Sequence, residues 1–154
     1  MPYPEEPADL STTLENVDVP DVIDLWHEKY GVSNSDFLDS VIIEISEKYP
    51  YAGCTEQAER RIYMRPEYAN AGVLAHEVAH IIWYNLSELY KSSFRVVFDY
   101  QLPNNALLKL LLDKKPYAAV NHQNGNYIEV HAECYRYLGN QMPESLKEFY
   151  PYLI

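Results

Sequence analysis

Basic residues are scarce in this chain. Among 154 residues, 12 are Lys or Arg and 23 are Asp or Glu, which gives a formal net charge of −11. The compact basic runs are Arg60-Arg61 and Lys114-Lys115, and both are too short to form a basic patch. Because nucleic-acid binding depends on clustered Lys and Arg that neutralise phosphates, the composition argues against a nucleic-acid partner and against an anionic membrane surface.

Cysteines and long apolar runs are scarce as well. Cys54 and Cys134 are too few for a disulfide framework and lie too far apart in sequence for a zinc-binding cysteine pair. No apolar run approaches the roughly 20 residues that span a bilayer. Residues 1–7 have neither the basic start nor the apolar core of a signal peptide. We therefore expect a soluble, cytoplasmic protein with no membrane partner, and the oligomeric state stays open.

The length and the apolar content indicate one folded domain. A chain of 154 residues, of which 47% are hydrophobic, is long enough to bury a core and is not a disordered chain. Residues 1–19 are rich in Pro, Glu and Asp and are predicted to form an extended arm, either disordered or lying along a groove. Residues 20–154 are predicted to form the domain itself.

Hydrophobic spacing and turn residues predict a helix-rich domain with a small sheet. Residues 60–65 alternate in type before Pro66 and predict a strand. The other strands must come from residues near 51–56 or 94–100, although 51–59 has the composition of a loop, as does 117–126. Helices are predicted at about 21–30, 33–48, 71–89, 106–113, 127–138 and 143–149.

The segment Val73–His80 contains the pattern His-Glu-x-x-His, at His76, Glu77 and His80. Residues four apart lie on one face of a helix, so both imidazoles can bind one metal ion while Glu77 beside them handles a proton. Apolar flanking residues favour a helix here, with Asn70 as its N-cap. The simpler alternative is that the two histidines only solvate the face of a helix.

A later helix offers a further ligand. A catalytic zinc site has three protein ligands and an open position for water. Glu129 and Glu133 are four apart and share one face of the predicted helix, whereas His131 lies about 200° around the helix from Glu129. We interpret the two glutamates as a ligand and a supporting carboxylate. The simpler alternative is an exposed acidic face in which Glu133 pairs with Arg136.

The two motifs together resemble the gluzincin metallopeptidases, which bind zinc through two His from one helix and a Glu from another. His-Glu-x-x-His at residues 76–80 and Glu-x-x-Ala-Glu at residues 129–133 are similar to the subgroup built like the catalytic domain of anthrax lethal factor and the Pro-Pro endopeptidases. The minigluzincins are similar in size. This resemblance covers about residues 60–154. It implies an α+β, helix-rich, zincin-like domain with a small sheet, an active-site helix and a glutamate helix.

The resemblance also implies a role for each motif residue. His76, His80 and Glu129 would bind Zn²⁺. Glu77 would be the general base for a water molecule that the zinc activates, and Glu133 would orient a histidine ligand. The implied function is that of a zinc metalloendopeptidase that hydrolyses a peptide or protein substrate.

One position departs from this subgroup. The lethal-factor subgroup has a Tyr seven residues before the ligand Glu, and His122 stands there in this chain. A histidine can also stabilise the oxyanion of the transition state, so His122 is the predicted residue for this role. Tyr117 and Tyr127 are the alternatives. Val130 and His131 replace the aromatic residues that usually follow the ligand Glu, which leaves the local packing open.

The predicted strand at residues 60–65 comes just before the motif helix. We expect it to be an edge strand that holds an extended substrate by β-augmentation, through Ile62, Tyr63 and Met64.

Two other functions stay open at this stage. In the first, the protein binds zinc but is inactive or self-inhibited, as a zymogen is. Residues 1–19 would then occupy the cleft, or Cys54 would supply a thiolate as the fourth ligand. In the second, the domain is a non-enzymatic interaction module and the motif is accidental.

Overall fold

The computed structural model describes residues 18–32 and 36–154, which form a helix-rich α+β structure. The predicted arm at 1–19 therefore lies outside the described residues, apart from Asp18 and Val19, which cap and begin the first helix. The strands are β1 (Ile42–Ile45), β2 (Gly53–Glu56) and β3 (Arg61–Met64). The α-helices are α1 (Val19–Tyr30), α2 (Ala71–Asn85), α3 (Glu88–Gln101), α4 (Ala106–Lys114), α5 (Pro116–Gln123), α6 (Tyr127–Leu138) and α7 (Glu144–Lys147).

The sheet has the strand order β1-β3-β2, with β1 parallel and β2 antiparallel to β3. Successive side chains of a strand point to opposite faces of the sheet. Gly53 and Thr55 of β2 lie beside Met64 and Ile62 of β3, so these four residues share one face. That face packs against α2, and both β3 side chains on it are fully buried.

The central position of β3 corrects two predictions. Residues 61–64 are not an edge strand, because β1 and β2 are hydrogen-bonded to the two sides of β3. Its backbone therefore has no free side for a substrate strand, and β-augmentation through Ile62, Tyr63 and Met64 is wrong. Those three side chains are also buried.

Two further segments differ from their predicted structure. The predicted helix at 33–48 is wrong, since residues 36–40 form a 3₁₀ turn and residues 42–45 form β1. The isoleucines of β1 suit a strand, and pairing with β3 decides between the two structures. The predicted loop at 117–126 is mostly helix α5, which begins at Pro116, where the missing N–H costs nothing.

Helix α2 carries the His-Glu-x-x-His motif and forms the centre of the fold. The Asn70 side chain accepts a hydrogen bond from Val73 N at 2.9 Å, which confirms the predicted N-cap. The helix ends at Asn85 rather than at residue 89, because the Ser87 side chain caps the next helix. The first 12 of its 15 residues are buried between α1, α6 and the sheet. A helix that is covered on all sides belongs to the core.

Helix α6 packs along α2 and is tied to α1 by buried polar contacts. Trp26 Nε1 donates to Tyr135 Oη at 3.0 Å, and Tyr30 Oη donates to the Arg136 carbonyl at 2.6 Å. Within the described part of the chain, no helix has the length and apolar content needed to cross a bilayer.

Cys134 is fully buried in α6, and its thiol makes the free energy of unfolding depend on pH in the alkaline range. Burial raises the pKa of its thiol from 9.0 to about 12. Below pH 9 the thiol is neutral in the folded and in the unfolded chain, and this contribution to the free energy of unfolding is complete. As the pH rises above 9, the thiol ionises first in the unfolded chain, so the free energy of unfolding falls.

We expect the free energy of unfolding to fall less steeply between pH 9 and 10.5 in Cys134→Ala than in the parent. The parent should lose up to about 1.4 kcal/mol per pH unit through this thiol, and the variant should not. Urea unfolding at pH 8, 9.5 and 10.5 measures the slope of the unfolding free energy against pH. The slopes of parent and variant are compared, because the cavity left by Ala also lowers the variant's stability at every pH. The same pH slope in both proteins would contradict the prediction.

Candidate metal centre

His76, His80 and Glu129 meet where α2 and α6 pack together, and all three are buried. His76 Nε2 lies 3.1 Å from His80 Nε2 and 3.1 Å from Glu129 Oε1. His80 Nε2 lies 3.4 Å from the same carboxylate oxygen. Donor atoms placed 2.0–2.1 Å from one ion in a tetrahedral arrangement are about 3.3 Å apart. The structure thus brings the three predicted ligands together in a group that can hold a metal ion.

Unsatisfied polar atoms at this centre fit a cation. Among the described residues, Glu77 Oε2 and Glu129 Oε2 are buried and have no hydrogen-bond partner. Buried polar atoms are nearly always paired, so two unpaired carboxylate oxygens beside imidazole nitrogens need a positive partner. A divalent ion between His76, His80 and Glu129 would supply this charge.

The shifted pKa values of Glu129 and His76 show that the group favours a positive charge. Burial raises the pKa of Glu129, but hydrogen bonds with His76 and His80 outweigh burial and hold this pKa well below its usual range. Burial lowers the pKa of His76, but its bonds to Glu129 and Glu133 raise it to about 9. At neutral pH the centre therefore attracts positive charge, which a proton or a metal ion can supply.

No protein-family model, no curated protein and no solved structure matches this chain.

Glu133 supports the centre from behind His76. Its Oε2 lies 2.8 Å from His76 Nδ1, and both side chains are fully buried. This contact holds the ring so that Nε2 points at His80 and Glu129. The predicted supporting carboxylate thus orients His76, and its position one turn after Glu129 places both glutamates on one face of α6.

We expect Glu133→Gln to weaken the binding of a divalent metal ion, probed with Zn²⁺, about 10- to 100-fold, because a neutral amide supports the His76 ring less well than a carboxylate. A competition titration with a chromogenic chelator measures the dissociation constant. Glu144→Gln is a matched control on exposed surface, with a side chain that is 87% exposed. Equal zinc affinities of Glu133→Gln and the parent would contradict this role for Glu133.

Glu77 lies beside the three ligands and is fully buried. Its Oε2 is 3.9 Å from His76 Nε2, and its Oε1 accepts a hydrogen bond from Thr55 Oγ1 at 2.7 Å. A Cβ atom at Gly53 would lie 2.9 Å from Glu77 Oε2, so β2 passes very close to this carboxylate. The sequence did not point to Thr55 or Gly53, because residues 51–59 have the composition of a loop and neither residue belongs to a motif.

The structure separates the three candidates for the transition-state role. Tyr117 Oη lies 3.2 Å from Glu129 Oε1, and its ring centroid is 6.2 Å from that of His76. His122 Nε2 instead lies 2.9 Å from Asp99 Oδ1, and Tyr127 Oη donates to Asp99 Oδ2 at 2.6 Å. Tyr117 is therefore the candidate that contacts a ligand, while the other two tie α5 and α6 to α3.

Cys54 is not placed to be a fourth ligand. It lies between Gly53 and Thr55 in β2, and these two face α2, so strand alternation directs Cys54 to the opposite face of the sheet. The metal-binding group found among the described residues does not include it. The direction of Cys54 argues against a Cys54 thiolate as the fourth ligand, whereas inhibition by residues 1–19 falls outside the described residues.

Proposed function

We propose that this protein is a zinc metallopeptidase of the gluzincin type, with a zincin-like fold. The observation that carries the proposal is the buried His76, His80 and Glu129 group with the Glu77 carboxylate beside it. Two imidazole nitrogens and one carboxylate oxygen form a donor set that suits zinc and leaves a fourth position open. A carboxylate that is buried next to such a group, with one oxygen unpaired, is placed to accept a proton.

Each residue then has a defined task. Bound here, a zinc ion would supply Lewis-acid chemistry, polarising water and the scissile carbonyl. Glu77 takes a proton from the water that attacks the carbonyl carbon and passes it to the leaving amine as the C–N bond breaks. The Tyr117 hydroxyl donates a hydrogen bond to the oxyanion.

The edge strand β2 replaces β3 as the proposed substrate-binding strand. Arg65 N donates to the Ala52 carbonyl at 3.0 Å, so residues 52 and 65 form a hydrogen-bonded pair. Such pairs alternate along antiparallel strands, which directs the backbone groups of Gly53 and Thr55 away from β3. A substrate in extended conformation would pair with these groups and pass beside Glu77.

Burial of the centre favours a second candidate function, which is zinc binding without hydrolysis. His76, His80, Glu129 and Glu77 are each at most 1% exposed, so a substrate can reach them only if the surrounding elements move. Helix α5 is one of these elements, since its Tyr117 contacts Glu129.

Metal analysis combined with a peptide-cleavage assay tests the two functions. The protein is purified without chelators, and its metal content is measured by mass spectrometry. Cleavage is followed with a random library of internally quenched fluorogenic peptides. A peptidase should contain about one zinc per chain, lose cleavage with 1,10-phenanthroline and regain it with added Zn²⁺. Zinc without cleavage would support the second candidate, and a protein that neither contains nor binds zinc would overturn both.

A matched pair of variants tests the role of Tyr117. We expect Tyr117→Phe to lower kcat about 100-fold, because it removes one hydrogen-bond donor from the oxyanion. His122→Gln should change kcat less than about 3-fold, since its contact is to Asp99 on the surface. Steady-state kinetics on one cleaved peptide decides between them. A larger loss in His122→Gln would restore the role that the sequence position indicates for His122.

A further inference from the structure

We propose that Thr55 is a positioning residue that holds the Glu77 carboxylate in the orientation for proton transfer. This role rests on the proposed peptidase function. It assigns to β2 a task in catalysis beyond binding the substrate backbone.

The hydrogen bond between Thr55 and Glu77 gives the two oxygens of the Glu77 carboxylate different roles. Thr55 Oγ1 donates to Glu77 Oε1 at 2.7 Å. The other oxygen, Oε2, accepts no hydrogen bond among the described residues and lies 3.9 Å from His76 Nε2. Since one oxygen is occupied by the hydroxyl, the free oxygen is the one on the side of the metal ligands. That oxygen is the one that must take the proton.

Gly53 confines the same carboxylate at a second point on the same face of β2. A Cβ atom at this position would lie 2.8 Å from Val73 Cγ1 and 2.9 Å from Glu77 Oε2. Gly53 and Thr55 are two residues apart on one face of β2, so both meet the Glu77 side chain. A Glu side chain has several rotatable bonds, and these two contacts with β2 restrict the orientations that its carboxylate can take.

A purely structural role for Thr55 makes a different prediction. Its hydroxyl also lies 3.4 Å from the Glu77 carbonyl oxygen, and the residue is only 9% exposed. If satisfying the helix backbone were its task, loss of the hydroxyl would lower stability and leave kcat unchanged. The much shorter distance to the carboxylate indicates that Oε1 is the main acceptor.

Three substitutions at one position separate the roles. Thr55→Val keeps the shape and removes the hydroxyl, Thr55→Ala removes it in a smaller side chain, and Thr55→Ser keeps it. For each variant we would measure kcat and KM on the best-cleaved quenched peptide, the zinc dissociation constant and the melting temperature. We expect kcat to fall about 10- to 100-fold in Thr55→Val and Thr55→Ala, and to stay within about 3-fold in Thr55→Ser. KM and the zinc dissociation constant should stay within about 2-fold, because among the described residues the Thr55 hydroxyl bonds to Glu77 and not to His76, His80 or Glu129.

The outcomes are distinct. Parental kcat in Thr55→Val or in Thr55→Ala would overturn the positioning role and leave the peptidase function intact. Equal losses of kcat in Thr55→Ser and Thr55→Val would overturn it too, because they would point to packing rather than to the hydroxyl. Weaker zinc binding in all three variants would have the same meaning. A parent protein that binds zinc but cleaves no peptide would overturn the proposed function, and the positioning role with it.

Discussion

Glu77→Gln is expected to lower kcat at least about 10³-fold while the protein keeps its zinc. The substitution removes the group that takes the proton from water. It does not remove a ligand, since His76, His80 and Glu129 provide the three donor atoms. The amide oxygen of Gln can still accept the hydrogen bond from Thr55, so the side chain should stay in place. The loss therefore reports on proton transfer.

Cleavage of a quenched peptide and metal analysis of the same sample measure both parts of this prediction. Glu88→Gln is a matched control, because that side chain is 91% exposed on α3. The control should keep parental kcat and zinc content. If Glu77→Gln cleaves the peptide as well as the parent does, the proposed mechanism is wrong. If it loses zinc, the side chain has a structural role that the geometry does not indicate.

His80→Ala is expected to abolish both zinc binding and hydrolysis. His80 is 1% exposed and contributes Nε2 to the donor group, so two ligands remain after its removal. We expect the zinc content to fall from about one per chain to below about 0.1 at micromolar protein, and activity to fall with it.

The same variant should lose the stabilisation that zinc gives to the parent. With free zinc at about 1,000 times its dissociation constant, binding stabilises the native state by about 4 kcal/mol. For a chain of this length, this corresponds to a rise of roughly 8–16 °C in melting temperature. Thermal unfolding with and without Zn²⁺ measures the shift, and His27→Ala on α1 serves as a control that should keep it. A zinc-dependent shift in His80→Ala as large as the parent's would show that the metal binds elsewhere.

Features carried within single helices could be predicted from the sequence. His76 and His80 are one turn apart, and so are Glu129 and Glu133, so each pair shares a helix face wherever the helix lies. The Asn70 cap of α2 is equally local and is confirmed. That the two faces meet depends on tertiary packing, and the sequence indicates it only through the need of zinc for a third ligand and the resemblance to the gluzincins.

Features that depend on strand pairing could not be predicted. The isoleucines at 42, 43 and 45 fit helical spacing as well as a strand, and only the parallel partner β3 settles their structure. The position of β3 between two neighbours depends on two segments that have no clear strand pattern. Thr55 belongs to the site because β2 crosses α2 at Glu77, and no local pattern encodes that crossing.

The candidates for the transition-state role show that spacing along the sequence does not identify the residue that contacts Glu129. His122 stands seven residues before Glu129, the spacing of the helper Tyr in the lethal-factor subgroup that the motifs resemble, but this segment is a helix rather than a loop. Helix α5 begins at Pro116 and brings Tyr117, from its first turn, against Glu129. The path of α5, rather than the spacing along the chain, decides that Tyr117 and not His122 contacts Glu129.

The placement of both glutamates on α6 makes this centre cooperative. Glu129 joins the donor group and Glu133 holds His76, so a single rigid helix carries a ligand and the support of another ligand. If α6 slides along α2 by one residue, both contacts break together. A metal ion bound by His76, His80 and Glu129 would therefore join α2 to α6, and its loss would weaken the packing of these two helices.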